Sequence, residues 1–245
     1  MPFRTDDGRP LDELVLAQRP ADAVRFELRE GFGYEDAATA RVYDVPAGRS
    51  TDLATVPMWL WSFIASYGRQ SAPAVLHDHR SAVAATLGDP AAALAQRRED
   101  DAVFRRALRE QGVPVLRRWV MWAWVAADRE REFGGLAGVL LIVQVVLGAV
   151  LVVAASVIAV WHPWWLVAVP VVVVAAFPWA LRGPGFAGLV LVLTASIAVL
   201  GPFLVLHLVA LAPFRLVEAI VELAAGGDPA SVLRPTVLPD GQRAD

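Results

Sequence analysis

Cysteine is absent from this 245-residue chain, and so is lysine: all 22 basic residues are arginine. Without cysteine there is no disulfide, iron–sulfur cluster, thiolate zinc site or cysteine nucleophile. Without lysine there is no Walker-type phosphate loop, which requires one. The segment MPFRTDDGRPLDELVLAQRP has no apolar core, so no cleaved signal peptide is expected. Charge is also missing from one long stretch. Between Gly134 and Phe214 lie 81 residues with a single formal charge, Arg182. The net charge of −3 provides no broad basic field, so nucleic acid is not expected as a partner.

What is present is a high apolar content, 56% of residues, distributed unevenly. It divides the chain into a polar domain over 1–133, a membrane region over 134–212 and a tail over 213–245. Arginine-only usage with abundant Ala, Val, Leu and Gly suggests the coding bias of a GC-rich bacterial genome. Apolar runs over about 136–160, 165–181 and 186–211 are each read as a transmembrane helix. Trp161-His162-Pro163-Trp164-Trp165 reads as an interfacial turn, because aromatics favour the headgroup level and proline ends a helix. Pro170 and Pro178 leave open a re-entrant second segment, and hence two spans instead of three. A kink is expected at Gly201-Pro202. Arg117, Arg118, Arg129 and Arg131 precede the first span, and Arg182 lies in the second turn. This places the N-terminal domain on the cytoplasmic side of a bacterial inner membrane. Pro213 to Gly226 has the spacing of an interfacial amphipathic helix, with a disordered tail after Gly227.

The polar domain is expected to be α+β, with strands before helices. Alternation in Val24–Leu28 and Ala40–Val45 predicts a small hairpin or meander within residues 22–46. Helical spacing begins after Val56. It predicts helices over Pro73–Ala85, Ala91–Gln111 and Val115–Phe133, the last running directly into the first span. Arg97, Arg98, Arg105, Arg106 and Arg109 are read as a solvated face, with an anionic-lipid patch as the alternative because they precede a membrane span, and His79-Arg80 as exposed helix surface.

Candidate chemistry rests on one histidine and three acids. His77 and Asp78 are adjacent on the first helix, so they point about 100° apart. If His77 faces the second helix, Asp101 accepts one ring N–H and leaves the other nitrogen as a base. Asp78 and Asp52 would then bind a hard cation such as calcium through oxygen. In the alternative, Asp52 caps a helix and His77–Asp101 is a buried structural hydrogen bond.

The order VPAGRSTDLATVP, AVLHD, REDDAVFRRALREQGV and LRRWVMWAWVAAD, within Val45–Gly135, resembles the bacterial and phage domain-of-unknown-function family 1353. That resemblance implies no activity. The His77-Asp78 pair also resembles, more weakly, the helix of secreted phospholipase A2. This likeness implies His77 as base, Asp101 as its orienting partner, and Asp78 and Asp52 as calcium ligands. The residues after the pair here are His79, Arg80 and Ser81, where those enzymes carry a tyrosine two residues on. Three functions follow as alternatives: a non-catalytic membrane-anchored binding or assembly module, a membrane-tethered metal-assisted ester or lipid hydrolase, and a transporter. The bilayer is the expected partner in the first two, with a protein partner or a second copy of the chain left open.

Overall fold

The computed structural model describes residues 2–18, 25–53 and 68–233. Residues 22–24, the start of the helical pattern after Val56, Trp59, Trp61 and the tail from 234 lie outside these. The described strands are β1 (Phe3–Thr5), β2 (Leu16–Gln18), β3 (Phe26–Leu28), β4 (Phe32–Asp36), β5 (Arg41–Val45) and β6 (Ser50–Thr51). They form two three-stranded antiparallel sheets, ordered β1-β4-β5 and β2-β3-β6. This exceeds the single hairpin or meander expected, because β1 and β2 are three-residue strands from the N-terminal segment. Three residues are too few for alternation to register. Phe32 and Gly33 also belong to the ladder: Phe32 pairs with Val45 and Gly33 with Asp44.

Phe3, Leu28, Phe32, Tyr34, Val45, Val75, Leu76 and Val103 bury together, joining the strands to two helices. The ties are polar as well as apolar. Tyr34 Oη donates to Glu110 Oε2 at 2.9 Å. Asp36 is fully buried and accepts from Arg106 Nε at 3.0 Å and Nη2 at 2.7 Å. Burial pushes the Asp36 carboxyl up, but bonds from Arg106, Thr39 and the Ala38 N–H outweigh it and hold its pKa below the usual value.

The helices are α1 (Ser71–Ala85), α2 (Pro90–Glu110), α3 (Val115–Phe133), α4 (Gly135–Ile158), α5 (Ala168–Ala176), α6 (Phe186–Ala224) and α7 (Pro229–Leu233). Asp89 caps α2 through the N–H groups of Ala91 and Ala92, with Pro90 at the first helical position. Gly112 adopts φ +70 beyond its end, the left-handed turn that glycine permits. The mixed α+β class follows: antiparallel strands first, then helices.

The structure differs from the sequence reading at the α3–α4 junction. The two helices are not one rod. Gly135 turns at φ +58, and Ala123, Ala126 and Ala127 of α3 pack with Leu141 and Val145 of α4. The approach is so close that a Cβ on Gly138 would lie 1.9 Å from the Glu130 carbonyl oxygen.

Three helical segments are long and apolar enough to cross a membrane: Gly135–Ile158, Pro163–Arg182 and Phe186–Ala224. The middle one is assembled from 3-10 turns at Pro163–Val167 and Phe177–Arg182 around α5. Pro178 has no N–H for the carbonyl a turn before it. Gln144 of α4 supplies the donor, Nε2 to Ala175 O at 2.7 Å, and its Oε1 accepts from Trp179 Nε1 at 2.8 Å. Gly148 admits α5 and α6 closely, since a Cβ there would meet Thr194 at 3.2 Å and Val172 at 3.3 Å. The third segment departs from the expected boundaries. Pro202 and Pro213 both lie inside one 39-residue helix, so the amphipathic stretch after Pro213 continues the span. At about 1.5 Å per residue such a helix outruns a hydrocarbon core of about 30 Å.

Candidate functional site

His77 and Asp101 meet. His77 Nε2 lies 2.9 Å from Asp101 Oδ1, with His77 7% exposed and Asp101 fully buried. The local reason is helical: Val75, Leu76 and His77 are buried on α1, and Asp100, Asp101, Val103 and Phe104 on α2. The imidazole packs on Phe104, with ring centres 4.9 Å apart.

The second Asp101 oxygen is also taken. Arg129 of α3 donates through Nη1 to Asp101 Oδ2. Its Nε donates to Glu130 Oε1 at 3.1 Å, and Arg98 Nη2 lies 3.7 Å from the same oxygen. Arg129 and Glu130 are 4% and 1% exposed. The contact expected between two side chains is therefore part of a chain of ionic contacts through α1, α2 and α3. Arg129 and Glu130 were missed as site residues. A signal existed: Ala123, Ala126, Ala127 and Glu130 fall at i, i+3, i+4 and i+7, one helical face.

Asp52 and Asp78 also come together. The Asp78 carboxyl is hydrogen-bonded to Asp52, and Thr51 Oγ1 donates to Asp78 Oδ2 at 2.5 Å. Thr51 Oγ1 in turn accepts the Leu53 N–H at 2.9 Å. Leu53 sits at φ +60, a left-handed conformation unfavourable for a branched side chain, and its buried side chain helps hold it there. Burial, then the Asp52 charge, pushes the Asp78 pKa well above its ordinary value, and the Arg97 guanidinium only partly opposes this.

Of the five arginines of α2, only Arg109 is exposed. Arg97 is buried and reaches Asp128 at 3.7 Å, and Arg106 is paired with Asp36. Arg105 lies over the Trp119 and Trp122 rings at 4.4 and 4.9 Å. Nor is His79-Arg80 simple surface. Arg80 Nε donates to Asp100 Oδ1 at 2.5 Å and its guanidinium covers Tyr43 at 4.6 Å. Burial first, then Arg49 and Arg80, lowers the His79 pKa.

Among the described residues no group of three or more His, Asp and Glu side chains is placed to hold a metal. What the arrangement provides is a histidine fixed by a carboxylate, that carboxylate paired with an arginine, and a separate pair of neighbouring carboxyl groups, Asp52 and Asp78.

Such a chain is a small α+β domain whose polar layer rests on helices long and apolar enough to cross a membrane. Residues 26–125 match the model of the family described as "Protein of unknown function (DUF1353)". No curated protein and no solved structure matches the chain.

Proposed function

We propose that the chain is a membrane-anchored, non-catalytic binding or assembly module. In this reading the polar domain is cytoplasmic at a bacterial inner membrane. One observation carries the reading: both oxygens of Asp101 are engaged, by His77 and by Arg129. A carboxylate engaged on both oxygens fixes the register of α1 and α3 on α2, a structural use of the pair. Arg97 beside the Asp52–Asp78 pair adds to the same side, because its charge opposes a cation there.

The test uses the full chain in vesicles, comparing His77→Gln with His77→Ala. A structural histidine is largely replaced by glutamine, which keeps a donor toward Asp101, so melting is preserved in the first variant and lowered in the second. Fatty acid release from phospholipid, lost in His77→Gln while its melting temperature holds, would overturn the proposal.

The hydrolase reading keeps one observation of its own, the paired carboxyls at Asp52 and Asp78. Calcium bound there would hold both carboxyls ionised, with His77 as base. Its signature is a calcium-dependent rise in melting temperature that grows with pH and vanishes in Asp52→Asn. An unchanged melt across a calcium titration counts against it.

A further inference from the structure

A cavity of about 260 Å³ lies where α2 and α3 meet the turn that opens α6, lined among others by Arg98, Trp122, Arg129, Arg182 and Phe186. The geometry points to a binding site for a phosphate group, carried by an anionic phospholipid of the leaflet facing the polar domain.

Three features converge. The first is charge. Three guanidiniums line the cavity, and the nearby carboxylates that answer them are Glu130 and Asp101, so the cluster remains net positive. Arg129 is committed to those two carboxylates, but its neighbours are not fully used. Arg98 Nε is buried without an acceptor. Among the described residues, Arg182 has no carboxylate partner and lies over the Phe186 ring at 5.8 Å. Arg98 approaches the same ring at 5.3 Å, so the two guanidiniums share one aromatic platform with donors to spare. Guanidinium forks match phosphate oxygens in pairs.

The second feature is the backbone. Gly183, Pro184 and Gly185 form the rim, and Gly183 and Gly185 carry φ +143 and +91. No side chain caps the first turn of α6; the Phe186 N–H donates to Gly183 O at 3.4 Å, and the positive end of a 39-residue helix lies beside the cavity.

The third is position. Arg182 is the sole charge in the 81 residues from Gly134 to Phe214 and lies between two segments able to cross a membrane. That is where lipid phosphates lie. Phe186 and Leu189, both buried, set an apolar wall beside the charged rim, suited to the glycerol and first methylenes of a lipid. A soluble organophosphate would use the same guanidiniums without that wall.

The experiment titrates the full chain, in a neutral maltoside detergent, with short-chain phosphatidylglycerol, short-chain phosphatidylcholine and glycerol phosphate. Binding is read by microscale thermophoresis. Saturable binding of phosphatidylglycerol is expected, with phosphatidylcholine and glycerol phosphate weaker. Arg182→Gln, an exposed position, weakens it about tenfold, the worth of one charge-assisted hydrogen bond. Arg98→Gln acts in the same direction, and Arg215→Gln, near the far end of α6, leaves binding unchanged. Glycerol phosphate binding as tightly as the lipid, and lost in Arg182→Gln, upholds the phosphate site and makes its ligand soluble. Equal lipid binding in the wild type, Arg182→Gln and Arg98→Gln, or equal losses in Arg215→Gln, overturns the site.

Discussion

In the polar domain the middle of the helical layer is ionic: His77, Asp101, Arg129 and Glu130 lie almost entirely out of water. In the apolar half the corresponding middle is Gly148, Thr194 and one amide, Gln144. The difference follows from what each half has around it. The polar domain has water as its alternative solvent, so a buried charge needs a fixed partner and, once paired, dictates how three helices register. Within a bilayer the apolar segments would have no aqueous alternative and no hydrophobic drive between them. Close backbone approach and satisfied carbonyls hold them together. The α3–α4 turn joins the two regimes within a few residues, with Glu130 on one side and Gly138 on the other.

Removing one charge tests the ionic half most severely. Arg129→Leu leaves Asp101 and Glu130 buried without their counterion and should cost about 3–5 kcal/mol, read as a large loss of melting temperature in detergent. Asp101→Asn with Arg129→Leu together should cost less than the sum of the two, because the pair is lost as a unit. An additive result would mean the two residues act separately.

A bulky group at the junction comes next. Gly138→Leu must push α4 off α3 and should cost about 1–3 kcal/mol, whereas the same change at Gly188, where nothing lies within 4 Å of an added Cβ, should be nearly silent. Equal effects at both positions would remove the close approach from the account. Gln144→Leu, in the apolar half, should cost about 1 kcal/mol, seen as easier proteolysis of the second segment in vesicles.

The smallest effect is a slope with pH. The Asp78 pKa is raised in the folded chain, so the folded state holds a proton that the unfolded state releases above about 4. The stability this confers is complete below the unfolded value and is lost as pH rises through the folded one. Asp36 has the opposite sign: its contribution stands above the unfolded value and disappears as pH falls through the depressed one. Asp52→Asn removes the charge that helps raise Asp78, so denaturant midpoints should fall less between mildly acidic and neutral pH. An unchanged slope would separate the two carboxyls.

Much of this was legible in the residues. Apolar length marked the segments able to cross a membrane, and helical spacing marked the helices of the polar domain. His77 and Asp101 could be paired because each sits on a helix whose apolar spacing fixes its inward face. Arg129 and Glu130 escaped because D-R-E-R-E reads as surface until a second helix covers it. The turn at Gly135 escaped for a similar reason: glycine in an apolar run is ambiguous, and only the approach of Glu130 to Gly138 decides it. Thr51 was visible in the sequence S-T-D-L, but its bond to Asp78 spans 27 residues and belongs to the tertiary fold.

The bond from Gln144 to Ala175 has a consequence in time. A segment carrying Pro170 and Pro178 lacks two backbone donors, and in hydrocarbon each carbonyl left unpaired would be costly. Gln144 lies 31 residues earlier, on a helix that leaves the ribosome first. The donor is thus already in place when the acceptor arrives. In a bilayer the chain order of the two helices would set an order of assembly, and exchanging them would leave the proline-broken segment without its donor on entry.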